Sequence, residues 1–160
     1  MLRPPIRRKD GGFAVRLGAD EAALVARLLG ELRQLLTDDD PAAVALTRRL
    51  FPVANPDDPE REAEYQRLMR DELVSSRVAS IDTVEQALAD DRLLDEAELT
   101  ALMRSINSLR LVLGTMLDID DENGDDENGS GPASDSPEHH LYGYLSWLLE
   151  HAVHALSGRA

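Results

Sequence analysis

The chain has 160 residues and no cysteine, which removes disulfide stapling, thiolate catalysis and cysteine-ligated metal centres from consideration. Its formal net charge is −14, and nine of the 31 acidic residues lie between Asp118 and Glu138 with no Lys or Arg among them, which argues against general nucleic-acid binding. Hydrophobic residues make up 42% but aromatics only 4%, so the core must be built from Leu, Ala and Val, a composition that favours helices over strands.

Met1 to Pro5 reads as a loose tail without the apolar stretch of a signal peptide, and no segment is apolar for long enough to span a bilayer; the expected compartment is the cytoplasm. Ile6 to Lys9, the Asp10-Gly11-Gly12 turn and Phe13 to Leu17 read as a short hairpin, with Asp-Gly favouring a tight primed turn. Phe13, Val15 and Leu17 alternate with Ala14 and Arg16, giving one apolar face to lay on a helix. Asp20 to Thr37 carries Leu24, Val25, Leu28, Leu29, Leu32, Leu35 and Leu36 at helical spacing. Asp40-Pro41 pairs an N-cap with a proline in the first turn, and a short helix runs from there to about Leu50, where Phe51-Pro52 breaks it.

Asp58-Pro59 repeats that start signal for a helix to about Val78, with Tyr65, Leu68, Met69 and Leu73 as its inner stripe. Asp82 and Glu85 have the spacing of a capping box and predict a separate short helix to Ala89. Asp95 and Glu98 predict another capping box, opening a core helix to about Leu117 with Leu99, Leu102, Met103, Ile106, Leu109 and Leu113 inward. The segment from Asp118 to Asp135 is acidic and rich in Gly, Asn and Ser, and reads as a disordered spacer; its deletion from Gly124 to Ser134 should spare folding. Ser136-Pro137 then starts a last helix to about Leu156. The sum is one mainly α domain over residues 1–160: a bundle of five or six helices with a hairpin packed against it.

Candidate sites are few. An EF-hand register fails in the acidic segment, since Gly124 at position six puts Ile119 at position one and Gly129 puts Gly124 there. His139, His140, His151 and His154 belong to the last helix, where His151 and His154 can share a face, but no His-Glu-x-x-His motif accompanies them. No cofactor or metal is therefore expected, and no catalytic constellation. Arg48 and Arg49 before Phe51 suit a solvated helix end or a partner's acidic group. Arg110 lies in an apolar stretch, where it should tie two helices by a salt bridge or receive a partner's carboxylate. Trp147 stands near the edge of the last helix's apolar face. Arg7, Arg8 and Lys9 form a short basic patch that makes only a weak case for nucleic-acid contact, with no recognition helix beside it, and that could equally engage the chain's own acidic segment.

Several short pieces, in their order and spacing, resemble the actinobacterial domain-of-unknown-function family 2017, whose members are also known as AosR-like oxidative stress regulators. The pieces are Gly12-Phe13, Glu21 at the first long helix, Arg49-Leu50-Phe51-Pro52, Leu109-Arg110-Leu111-Val112-Leu113-Gly114 and Tyr144-Leu145-Ser146-Trp147-Leu148. The resemblance implies a helical cytoplasmic protein, encoded near a protease adaptor and genes of sulfur transfer and cysteine synthesis. It implies a partner, a sigma factor or RNA polymerase component, and a disulfide switch that this cysteine-free chain does not carry. The leading expectation is a non-enzymatic interaction domain in stress-linked transcription, binding through Arg48, Arg49, Phe51, Arg110 and Trp147 or the acidic segment. An adaptor for regulated proteolysis, a small metal-dependent enzyme and direct DNA binding are the alternatives, and self-association is open.

Overall fold

In a computed structural model, residues 3–90, 92–118 and 136–158 are described; the 119–135 segment, to which the spacer expectation applies, lies outside them. The architecture is mainly α. Strands β1 (Ile6–Lys9) and β2 (Gly12–Val15) form an antiparallel hairpin, with Ile6 opposite Val15 and Lys9 opposite Gly12. Five α-helices follow among the described residues: α1 (Ala19–Thr37), α2 (Pro41–Leu46), α3 (Pro59–Ala89), α4 (Glu96–Met116) and α5 (Pro137–Ser157). A 3₁₀ turn, Arg48–Leu50, follows α2.

The start signals work as the sequence predicts. Asp40 accepts from the Ala42 N–H at 2.9 Å, Asp58 from Arg61 at 3.1 Å and Ser136 from His139 at 3.2 Å, each followed by proline in the first turn. The Asp95–Glu98 capping box is complete on both sides. Helix α4 is the hub: it packs against α5, α3, α1, α2, the 3₁₀ turn and β2, which is why its sequence is apolar on several faces. Leu29 and Leu32 from α1, Ile81 and Val84 from α3, Leu99 and Ile106 from α4, and Leu145 and Leu148 from α5 fill the core.

Three expectations change. The region 59–89 is one continuous helix, because nothing between Val78 and Asp82 stops it; Asp82 and Glu85 do not cap but together receive Arg33 of α1. The N-terminal half of α3 contributes no fully buried side chain, and Leu68 is 67% exposed; the buried residues of α3 are Ile81, Val84 and Ala87. The hairpin turn is not of a primed type. Gly11 has φ +91° while Asp10 keeps a negative φ, the pattern of a type II turn. β2 ends at Val15, and Leu17 is half-buried beyond it.

Phe13 and Leu94 exchange backbone hydrogen bonds of 2.8 Å in both directions, so the segment leading into α4 joins the hairpin as a single bridge. This contact, together with the packing of β1 on α5, fixes the hairpin beside the C-terminal end of the last helix. No described helix is long and apolar enough to cross a membrane.

Candidate functional site

The hairpin and the end of α5 form a cleft with a volume of about 880 Å³. β1 brings Arg7, Arg8 and Lys9 to it, and α5 brings His151 and His154 from one face, three residues apart as the sequence spacing requires. Asp10 and Glu96 are the acidic residues of its lining.

Arg8 is committed to the fold. Its Nε donates to the carbonyl of Ala155 at 3.3 Å and its Nη2 to that of Leu156 at 3.2 Å, and its guanidinium lies 5.0 Å from the centre of the Phe13 ring. It therefore donates to two carbonyls of the last turn of α5, that of Ala155 also accepting the Gly158 N–H, and places a positive charge at the negative end of the helix dipole. Gly158, at φ +71°, closes the helix beside it. Arg7 and Lys9 also line the cleft and make no ion pair among the described residues.

Beside the cleft runs an aromatic row on α5. Trp147 packs edge-on against the His151 ring at 4.8 Å between centres, and Tyr144 lies 5.9 Å on its other side. Trp147 is 44% exposed, whereas Tyr144 is held inward by a 2.6 Å hydrogen bond from its hydroxyl to Glu21 of α1. Burial, reinforced by the Glu21 carboxylate, pushes the phenol well above its ordinary pKa, so it stays protonated as the donor.

The five residues singled out from sequence do not form one site. No side-chain hydrogen bond, ion pair or ring contact joins any two of them among the described residues. Phe51 is buried, and Arg70 of α3 stacks over it at 4.3 Å. Arg48 is exposed and Arg49 half-buried on the 3₁₀ turn. Arg110 forms no interhelical salt bridge among the described residues. It donates to Asn107 on its own helix at 3.3 Å and lies 5.8 Å from the Tyr142 ring of α5, so the α4–α5 seam is joined there by a cation over an aromatic face. Trp147 reaches the hairpin–α5 cleft only through its ring contact with His151, which lines it.

Besides Arg33, which joins α1 to α3, Arg77 ties helices together, and sequence reasoning missed it. It donates to Ser108 of α4 at 2.9 Å and to the carbonyl of Leu50 at 3.0 Å. The signal was present: Arg77 stands four residues from both Leu73 and Ile81, inside an apolar stripe. Among the described residues no group of three or more His, Asp or Glu side chains is placed to hold a metal ion.

No curated protein and no solved structure shows significant similarity to this chain. A family model does: residues 3–156 match the domain of unknown function DUF2017, and with nearly the whole chain covered the protein belongs to that family.

Proposed function

We propose that this protein is a non-enzymatic interaction domain that takes an acidic segment of a protein partner in the hairpin–α5 cleft, with Trp147 at its rim. The observation that carries this reading is a contrast of charge. The chain has a net charge of −14, yet the hairpin–α5 cleft is lined by Arg7 and Lys9, which make no ion pair among the described residues, and by His151 and His154. Such a cleft attracts acidic partners while the remaining surface repels them, which favours specificity. A half-exposed tryptophan next to it supplies apolar contact area of the kind that dominates binding energy at interfaces.

The resemblance to oxidative stress regulators supplies the partner class: a sigma factor or RNA polymerase component, with the protein acting in stress-linked transcription. Control in this chain then runs through binding and not through a thiol, because there is no cysteine to oxidise.

The test is a tagged pull-down from native lysate read by quantitative mass spectrometry. It compares the wild-type chain with Arg7→Glu/Lys9→Glu, with Trp147→Ala, and with Arg67→Glu on the exposed face of α3 as control. Capture of a sigma factor or polymerase subunit that falls at least about tenfold in the two cleft variants but not in the control is the expected result. Equal capture by all four proteins contradicts the cleft, and capture of a protease component in place of a transcription factor contradicts the partner class.

A further inference from the structure

A second cavity, of about 200 Å³, lies between α3 and α4, and its polar lining is cationic and hydroxylic without a carboxylate. Arg77 and Ser80 come from α3, and Arg104, Ser105 and Ser108 from α4. Arg77 is half-buried and already holds Ser108 and the Leu50 carbonyl, but its Nε is buried and has no partner among the described residues. Ser105 is 3% exposed, and its Oγ is likewise buried and without a partner among them. Arg104 makes no side-chain hydrogen bond or ion pair among the described residues, and its charge bears on Arg77 as a like charge. Burial, followed by that repulsion, pushes the Arg77 pKa down.

A half-buried guanidinium beside the exposed Arg104, with no carboxylate in the lining and with a buried arginine Nε and serine Oγ that lack partners among the described residues, is a costly arrangement in an empty protein. An oxyanion resolves every part of it. It accepts from Arg77 Nε, from Arg104 and from the Ser105 hydroxyl, and it neutralises the repulsion between the arginines. Water could accept the same hydrogen bonds but would leave the two charges opposed. The cavity is several times the roughly 30 Å³ share of one water molecule, which leaves room for a tetrahedral anion.

We infer that the Arg77–Arg104–Ser105 cavity between α3 and α4 is a binding site for a doubly charged oxyanion of the phosphate type, separate from the hairpin–α5 cleft. A shallower groove lined by Ser76, Ser80, Thr83, Thr100 and Arg104 opens from it and shares three of those residues with the cavity. That groove gives access, and it provides polar space for the organic part of a phosphomonoester. Its acidic residue, Glu96, lies eight positions before Arg104 on α4, about 12 Å along the helix, and is absent from the cavity itself.

The site is tested on the full chain by isothermal calorimetry with inorganic phosphate, sulfate and glycerol phosphate, each against chloride at matched ionic strength. Saturable binding is expected, with Arg104→Gln weakening it about tenfold through loss of one charge-assisted donor. Ser105→Ala is expected to weaken it several-fold, while the melting temperature of the ligand-free variant stays level or rises because an unsatisfied buried hydroxyl is gone. Tighter binding of glycerol phosphate than of phosphate identifies a phosphomonoester whose organic part uses the groove; the reverse order identifies the free ion. Absence of saturable binding by all three anions, or variants that bind as the wild type does, overturns the site. Arg77 is left intact because its replacement would also release the 3₁₀ turn.

Discussion

At Gly12 the backbone runs at φ +153°, and a Cβ placed there would stand 2.5 Å from the carbonyl oxygen of Leu94. The close approach is what lets Phe13 and Leu94 exchange their two hydrogen bonds and seat the hairpin on the start of α4. Gly12→Ala should therefore cost about 2 kcal/mol, combining an unfavourable φ with displacement of a backbone neighbour, and should appear as a lower midpoint in urea unfolding. A variant as stable as the wild type would mean that the bridge is dispensable. The glycine was legible in the sequence as a turn residue, but its second role was not, because Leu94 is far away along the chain. The same limit applies to Tyr144 and Glu21, whose hydrogen bond spans 123 positions. Arg110 shows the converse. An arginine among leucines suggests a buried ion pair, and the structure answers with the face of Tyr142, a partner that periodicity does not distinguish from any other half-buried residue.

Helix signals were most legible where proline or a capping box marks a start, and least legible where the same residue types serve another purpose. Asp82 and Glu85 have the spacing of a cap yet lie in the middle of α3, where they hold Arg33 of α1. Asp95 and Glu98 have the same spacing and do cap. The local difference is that Leu93-Leu94 leaves the helix to bridge Phe13, whereas Val78 to Ile81 contains no residue that disfavours continuation. Glu98 also takes both Nη groups of Arg92, at 2.9 and 2.6 Å. The Arg92 guanidinium, with help from the Asp95 N–H, lowers its pKa from 4.5 to about 2. A depressed carboxylate contributes stability that is present above its unfolded pKa and is lost as pH falls through the folded value. Glu98→Gln should thus cost about 1 kcal/mol at pH 7. The gap between variant and wild type should close between pH 4.5 and about 2, as measured by denaturant midpoints across that range. A gap that does not change with pH would show that the charge of Glu98 contributes nothing.

On the scale of the molecule, the helical bundle with its hairpin was legible because amphipathic spacing and composition both demanded it. The distribution of charge over that bundle was legible only in part. The sequence locates the acidic residues and the basic patch of β1, but it does not say that β1 would lie against the end of α5, so that Arg7 and Lys9 line one cleft with His151 and His154. That juxtaposition depends on Arg8 closing the C-terminus of α5 and on the hairpin's bridge to Leu94, two long-range contacts. It is the ground on which the proposed site for an acidic partner rests. The cavity between α3 and α4 shares no lining residue with the cleft, so a bound anion there and a partner in the cleft can be measured separately. The account rests most on the cleft, and amide hydrogen exchange of the protein alone and in complex with its captured partner tests it most directly. Added protection confined to β1 and to α5 from Trp147 to Gly158 is the predicted result, and protection elsewhere with those segments unchanged would contradict it.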